Sequence, residues 1–176
     1  MTSFDGGRKA RVPEIHRQPA KKQPKKQSLS SRIYPDRPFL AVSAAIIRDG
    51  RVLIVRRAST PMLGLYTLPG GVVEAGETLD EAVRREIEEE TALKIEPVAL
   101  AGYRDAIFRD KENRIERHFV IMAFAARLVS GEVKLNAELG AFDWLKPDEL
   151  KSLKTTEGLG EIVEAAFARM AEVEAK

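Results

Sequence analysis

The sequence predicts an α/β fold in which a mixed β-sheet carries one helix on each face. Two apolar runs of strand length flank an Asp-Gly turn signal, and a capped amphipathic helix follows them. Further strand-like runs lead to a second amphipathic helix at the end of the chain. The element order β-β-α-β-β-β-α indicates an α/β sandwich of two or three layers. The 176 residues suffice for one domain with a substantial core.

The first two strands form a predicted hairpin. The runs "FLAVSAAII" and "RVLIVRR" are separated by Arg48-Asp49-Gly50, and Asp-Gly is a strong signal for a tight turn. The next segment, "ASTPMLGLYTLPGG", contains two prolines and three glycines, and we expect it to be largely loop.

The segment "TLDEAVRREIEEETAL" is the first predicted helix. Thr78 and Glu81 have the spacing of a capping box, in which each side chain accepts a hydrogen bond from the backbone of the other residue. Leu79, Val83 and Ile87 recur every four residues and form the apolar stripe that faces the core.

The rest of the chain supplies the outer elements. The runs "KIEPVALAGYRDAIF" and "RHFVIMAFAARL" predict two long strands joined by the polar turn "RDKENRIE". A short strand is expected at "AFDWL", and Pro147 and Asp148 open a helical turn. The segment "GEIVEAAFARMAEVEAK" predicts an amphipathic terminal helix.

Charge divides the chain into two parts. Residues 1–37 hold ten lysine or arginine residues against three acidic ones, whereas residues 38–176 have a net charge of −5. The basic segment 1–37 has little apolar content, so we expect a disordered tail, followed by one domain over residues 38–176. The tail is interpreted as a solubilising extension, with an electrostatic contact to RNA, a phosphate-rich partner or a membrane surface as the alternative.

Composition excludes several classes of site. The chain has no cysteine, which excludes disulfides, thiolate metal sites and a cysteine nucleophile. Its two histidines are too few for a histidine-rich metal centre. No apolar run has the length of a membrane span, and no secretory or transit signal is recognisable, so a cytoplasmic location is expected.

The stretch "RREIEEETAL" places four glutamates in five positions. At 100° per residue, Glu86, Glu89 and Glu90 share an arc of about 100° that overlaps the edge of the apolar stripe, whereas Glu88 points away from it. Carboxylates at a core boundary are costly unless compensated, and oxygen ligands suit Mg²⁺ or Mn²⁺. We therefore expect a metal site here, and a solvated acidic face is the alternative.

The residues around this cluster resemble the signature of the Nudix hydrolases, G-x5-E-x7-R-E-U-x-E-E-x-G-U, where U is a bulky apolar residue. The matching positions are Gly71, Glu77, Arg85, Glu86, Ile87, Glu89, Glu90 and Leu93. Ala92 stands where the signature has its last glycine, which puts the local packing in doubt but not the ligands. With "LYTLPGG" and "VEAGE" upstream, the resemblance covers roughly residues 38–152.

The resemblance implies a Nudix-type α/β/α sandwich and hydrolysis of a nucleoside diphosphate linked to another group. It implies that Glu86, Glu89 and Glu90 hold Mg²⁺ or Mn²⁺ together with the carbonyl of Gly70. It also implies that Glu77 pairs with Arg85 to fix the loop. The catalytic residues predicted on this basis are Glu77, Arg85, Glu86 and Glu89.

The substrate contacts and the general base are left open. Arg56 and Arg57 at the end of the second strand are candidates for phosphate contacts. The candidate bases are Glu86, Glu89, Glu112, Glu116 and Glu138, with His118 as a further candidate. The candidates for stacking on a nucleobase are Tyr66, Tyr103, Phe108, Phe119 and Trp144.

The substrate is predicted only as a small nucleotide. A proline about sixteen residues beyond the signature marks many ADP-ribose-cleaving members, but this position is Arg109, and the tyrosine of the diadenosine-polyphosphate group is absent there too. ADP-ribose-like sugars and (d)NTPs are therefore almost equally favoured as substrates. The alternatives are an RNA 5′-end pyrophosphohydrolase helped by the basic tail and a non-catalytic nucleotide-binding module. No membrane partner is expected, and a homodimer is left open.

Overall fold

The computed structural model describes residues 32–175. Residues 1–31, the greater part of the basic tail, lie outside the described residues, and their disorder stays a prediction. The strands are β1 (Phe39–Arg48), β2 (Arg51–Arg57), β3 (Tyr66–Thr67), β4 (Gly70–Val72), β5 (Lys94–Arg109), β6 (Ile115–Ser130) and β7 (Leu139–Leu145). The helices are α1 (Leu79–Thr91), a 3-10 helix (Pro147–Ser152) and α2 (Leu159–Glu174).

The strands form the mixed sheet that the sequence predicts. The order is β3-β2-β1-β6-β5, with β4 also paired to β1 and β7 to β2. Strands β1 and β6 run parallel, and the other pairs are antiparallel. Strand β1 pairs with β2 only near the hairpin turn, whereas residues 41–43 pair with β4. This change of partner brings the glycine turn that precedes α1 into the sheet.

The predicted hairpin between β1 and β2 is confirmed. Ile47 pairs with Val52, and Asp49 and Gly50 have φ angles of 50° and 71°. A two-residue turn with positive φ at both positions twists in the same sense as the strands it joins. Asp-Gly suits this turn because both residues tolerate the left-handed region.

Each face of the sheet has its own core, in agreement with a helix on each side. Along β2, Leu53 and Val55 pack in the cluster that contains α1, whereas Val52 and Ile54 pack in the cluster that contains α2. Successive side chains of a strand point to opposite faces, so a run buried on both sides is apolar throughout.

Two predicted loops are shorter than expected. The segment 58–71 contains β3 and β4, whose pairing with β2 and β1 is set by distant partners rather than by local periodicity. The turn between β5 and β6 is also tighter, because the side chain of Asp110 accepts hydrogen bonds from the N–H groups of Glu112 and Arg114. Within residues 32–175, no helix is long and apolar enough to cross a membrane.

Candidate active site

Helix α1 carries the glutamate cluster, and its N-terminus is fixed by the predicted capping box. The Thr78 hydroxyl accepts a hydrogen bond from the N–H of Glu81 at 3.2 Å, and the Glu81 carboxylate accepts one from the N–H of Thr78 at 2.8 Å. The burial of the glutamates follows the predicted arc only in part. Glu90 is buried and the Glu86 side chain is 13% exposed, whereas Glu89, with a side chain 41% exposed, is exposed as Glu88 is.

Two glycines of the preceding turn let the backbone approach both the helix and the sheet. A β-carbon at position 71 would overlap the carboxyl group of Glu86. A β-carbon at position 70 would overlap the carbonyl of Val42 on β1, and Gly70 also has a φ of 150°. The backbone of β1 therefore excludes a side chain at position 70, and a side chain at position 71 would require the carboxyl group of Glu86 to move.

Glu90 is the most deeply buried carboxylate of the cluster. Its side chain accepts a hydrogen bond from the N–H of Gly70 at 2.8 Å. Burial raises the pKa of Glu90 to about 7 despite this hydrogen bond, and the nearby charges of Glu86 and Glu138 raise it further while Arg57 lowers it. An ionised Glu90 would thus carry its negative charge at a buried position, where water solvates the charge poorly.

Arg85 ties the loop to the helix, as the resemblance implies. Its guanidinium donates to both oxygens of Glu77, at 2.6 and 2.8 Å, and to the carbonyl of Val72 at 3.2 Å. Glu77 also accepts a hydrogen bond from the N–H of Glu74 at 2.9 Å. Such a two-pronged pair fixes both position and orientation. The pKa of Arg85 is raised, chiefly by its hydrogen bonds to Glu77.

The same guanidinium draws the carboxylates of the cluster toward itself. It donates to Glu86 at 2.6 Å and lies 3.8 Å from an oxygen of Glu89, whereas Glu90 is turned to Gly70. Across residues 32–175, no three carboxylate or histidine side chains are arranged to hold one ion. The three predicted ligands therefore share one side of α1 but do not meet at one point.

The donor set nevertheless fits a hard divalent cation. The three side chains offer only oxygen atoms, which Mg²⁺ and Mn²⁺ prefer. The raised pKa of Glu90 indicates that negative charge here lacks full compensation, and a cation would supply it. Binding would require Glu86 and Glu89 to turn from Arg85, which retains its two bonds to Glu77.

Two of the predicted substrate residues lie beside the cluster. The charges of Arg57 and Glu138 both act on Glu90. The backbone also brings the two residues close, because the N–H of Ala58, the neighbour of Arg57, donates to the carbonyl of Glu138 at 2.9 Å. The Nε atom of Arg57 is buried and has no hydrogen-bond partner among the described residues.

The other predicted substrate residues make their contacts elsewhere. Arg56 is exposed and pairs through its backbone with Tyr66 and Ala141. Tyr66 is half-buried and packs against the cluster that contains α2, which gives it a structural role. Its contact with substrate, like that of Arg56, stays a prediction.

Most of the remaining candidates for the base and for stacking have their contacts away from α1, whereas Trp144 also packs against the cluster that contains α1. Glu112 lies 3.6 Å from Arg114 at the tip of the β5–β6 hairpin, and the carbonyl of Glu116 accepts from the N–H of Tyr34. In the pairing of β5 with β6, His118 lies opposite Ile107 and Phe108 lies opposite Arg117. The ring centroid of Phe119 lies 6.1 Å from that of Phe39, and the guanidinium of Arg48 lies over the ring of Trp144. Tyr103 is exposed. Glu138 is thus the later-loop carboxylate that acts on the cluster.

Sequence reasoning named Glu138 as a candidate base but missed the contact of its loop with α1. The N–H groups of Lys134 and Asn136 donate to the carbonyls of Thr91 and Glu90 at 2.8 and 3.1 Å. These carbonyls belong to the last turn of α1, where carbonyl groups have no hydrogen-bond donor within the helix. The side chain of Asn136 accepts from the N–H of Glu138 at 2.9 Å. The Asn-Ala-Glu sequence is a turn signal that could have been noticed.

The fold and the site together define an α/β sandwich whose acidic helix packs on a double-glycine turn. The NUDIX domain matches residues 37–167 of this chain. The chain therefore belongs to the Nudix hydrolase family, and hydrolases of this family generally use divalent metal ions.

Individual relatives agree with this assignment. The ADP-ribose pyrophosphatase of Methanocaldococcus jannaschii is 38% identical over 116 residues, which are 65% of this chain and 66% of that protein. The NAD-capped RNA hydrolase NudC of Photobacterium profundum is 30% identical over 128 residues, 72% of this chain and 44% of that protein. The chain thus spans just under two thirds of the length of the first relative and less than half of the length of the second.

A solved structure shows the same fold. The crystal structure of a MutT NUDIX hydrolase from Burkholderia pseudomallei matches with a TM-score of 0.65 and 33% identity. The match covers 74% of this chain and 98% of that one.

Proposed function

We propose that this protein hydrolyses the pyrophosphate linkage of a nucleoside diphosphate derivative, with ADP-ribose-like compounds as the first candidates and (d)NTPs next. The observation that carries the proposal is the packing of Glu86 and Glu90 on Gly70 and Gly71, held by the Arg85–Glu77 pair. The name of the Methanocaldococcus jannaschii relative favours ADP-ribose among the small nucleotides.

The proposed ligands of Mg²⁺ or Mn²⁺ are Glu86, Glu89 and Glu90, with the carbonyl of Gly70. Such an ion, when bound, offsets the charge of the pyrophosphate and acidifies a bound water. Arg85 keeps the loop and the helix together through Glu77, so the ligands remain on one side of the site.

Arg57 and Glu138, whose charges act on Glu90, are proposed to contact the substrate. A guanidinium binds phosphate oxygens in a forked geometry, and Arg57 is the cation whose charge reaches Glu90. Arg56, next to it, is proposed as a second phosphate contact. Glu138 is proposed to take the proton from the attacking water, because it is the carboxylate outside α1 whose charge acts on the cluster.

A substrate panel with paired variants tests the proposal. We expect release of AMP from ADP-ribose with added Mg²⁺, and a loss of about 100-fold or more in kcat for Glu89→Gln. Glu88→Gln is the matched control, because Glu88 lies on the same helix and is exposed. Unchanged activity of Glu89→Gln would refute the catalytic assignment. Nucleotide binding without turnover of any substrate in the panel would favour a non-catalytic module.

A second candidate is hydrolysis at the 5′ end of RNA. It is favoured by the NAD-capped RNA hydrolase relative and by the ten basic residues of segment 1–37. Deletion of residues 1–31 would then weaken turnover of NAD-capped or triphosphorylated RNA more than turnover of ADP-ribose, and the effect would shrink at high salt. Equal effects on both substrates would count against this candidate.

A further inference from the structure

The backbone of Glu138 is held at both of its polar groups, although the residue is exposed. Its N–H donates to the side-chain oxygen Oδ1 of Asn136 at 2.9 Å, and its carbonyl accepts from the N–H of Ala58 at 2.9 Å. Ala58 follows Arg57, the last residue of β2. The bond from Ala58 is made by main-chain atoms alone, whereas the bond to Asn136 needs a side chain that can accept a hydrogen bond.

Asn136 connects the loop of Glu138 with the helix that carries the glutamate cluster. Its N–H donates to the carbonyl of Glu90, in the last turn of α1, at 3.1 Å. Its carbonyl accepts from the N–H of Leu139 at 3.4 Å, and Leu139 is buried in the cluster that contains α1. Because the backbone of Asn136 is anchored in this way, its side chain has a fixed place from which to hold Glu138.

The contact with α1 does not explain why position 136 is an asparagine. Any residue except proline can donate a backbone N–H to a carbonyl at the end of a helix. Lys134 makes the equivalent bond to the carbonyl of Thr91 at 2.8 Å through its backbone. An asparagine side chain, however, can accept from the N–H two residues further on, and here that residue is Glu138. The side chain of Asn136 therefore serves the position of Glu138 rather than the capping of α1.

We propose that Asn136 is a positioning residue for the hydrolysis, which holds the backbone of Glu138 so that its carboxylate stays beside the end of α1. The inference rests on the proposed role of Glu138 as the group that takes the proton from the attacking water. A base must lie within hydrogen-bond reach of the proton it accepts, and a displacement of about 1 Å can cost about 100-fold in rate. Since Glu138 is exposed, its carboxylate is placed by the backbone that carries it and not by packing around it.

Two substitutions at position 136 separate the side chain from the backbone. Asn136→Ala keeps the backbone bonds to Glu90 and Leu139 but removes the acceptor for the N–H of Glu138. With the substrate of the panel that the wild type hydrolyses fastest, kcat should fall about 10-fold while KM stays within about 2-fold. Asn136→Asp restores an acceptor oxygen, and its kcat should return to within about 3-fold of the wild type.

Lys134→Ala is the matched control in the same loop. Its backbone bond to Thr91 corresponds to that of Asn136, and the residue is exposed, so the variant should keep the wild-type kcat. Amide hydrogen exchange measured by NMR adds a readout that does not depend on turnover. The amide of Glu138 should exchange faster in Asn136→Ala and regain its protection in Asn136→Asp. The amide of residue 136 should stay protected in both variants, because its bond to Glu90 is retained.

A double variant shows whether Asn136 acts through Glu138. Asn136→Ala should slow Glu138→Gln by no more than about 2-fold, because the group that Asn136 positions is already disabled. A further loss of about 10-fold would overturn the proposal, since Asn136 would then act on another part of the site. Wild-type kcat or wild-type exchange of the Glu138 amide in Asn136→Ala would overturn it as well, while an impaired Glu138→Gln left the proposed base intact. Wild-type kcat in Glu138→Gln would instead refute the proposed base, and this inference would fall with it.

Discussion

Gly71 lies directly against the carboxyl group of Glu86, so its lack of a side chain decides where that carboxylate can be. Its neighbour Gly70 meets β1 on one side and donates its N–H to Glu90 on the other. The glutamates of α1 are thus placed as much by the backbone of the glycine turn as by the helix that carries them.

Gly71→Ala should therefore damage activity by displacing Glu86. The added methyl group meets only the carboxyl end of the Glu86 side chain, which must turn away while the backbone keeps its place. We expect a fall in kcat of about 10-fold or more, with little change in the melting temperature. Gly160→Ala is the control, since nothing lies within 4 Å of a β-carbon there and alanine favours the helix. That variant should keep full activity.

Glu90 should make the stability of the metal-free protein depend on pH. Its pKa in the folded protein is raised from 4.5 to about 7, so between these values the folded state holds a proton that the unfolded chain has lost. The free energy of unfolding should then fall as pH rises from about 4.5 to 7, by about 3 kcal/mol from this group.

Urea unfolding in the presence of EDTA between pH 5 and 8 measures this effect. Glu90→Gln keeps a side chain that can accept from Gly70 but cannot ionise, so it should remove this part of the pH dependence. The same slope in the wild type and in Glu90→Gln would show that Glu90 titrates normally.

Helix α1 is fixed at both ends by contacts of different origin. At its start, the capping box is local and satisfies free N–H groups within three residues. At its end, Ala92 adopts the left-handed conformation with a φ of 59°, and the backbone of the 131–138 loop caps the last carbonyls. The second arrangement links the end of the helix to Glu138.

Ala92→Gly should stabilise the protein. An alanine in the left-handed region is strained, and glycine adopts this conformation without the cost. We therefore expect the free energy of unfolding to rise by about 0.5–1 kcal/mol. Each kcal/mol should raise the melting temperature by about 2–4 °C. Ala175, at the C-terminus of α2, has a φ of −83°, and Ala175→Gly should give no gain. Thermal unfolding of the two variants compares the positions directly. A loss of stability in Ala92→Gly would show that the methyl group contributes more by packing than it costs in strain.

At the scale of the whole molecule, the parts governed by short-range spacing could be predicted from the sequence. The wheel of α1 separates Glu88 from the other glutamates because the helical period is local. The positions of Arg57, Tyr66 and Glu138 depend on how β2, β3 and β7 pair, and this pairing is set by partners far along the chain. The Glu86 carboxylate is turned to Arg85, with a hydrogen bond of 2.6 Å, and spacing alone does not decide this direction.

The two cores, one on each face of the sheet, should respond to mutation independently. Ile87 and Val163 are both fully buried, but they belong to the clusters of α1 and α2 respectively. Ile87→Val should cost about 0.5–1.5 kcal/mol, and Val163→Ala should cost about 1–3 kcal/mol. Because the sheet separates the two sites, the double variant should lose the sum of the two values to within about 0.5 kcal/mol.

A pair of substitutions within one core supplies the contrast. Val83 and Ile87 share the cluster of α1, so Val83→Ala combined with Ile87→Val should deviate from additivity, because the second cavity opens beside the first. Urea unfolding of the single and double variants gives both coupling free energies. A coupling across the sheet as large as that within the α1 cluster would mean that the layers adjust together, and α2 would then be expected to influence the position of the glutamates on α1.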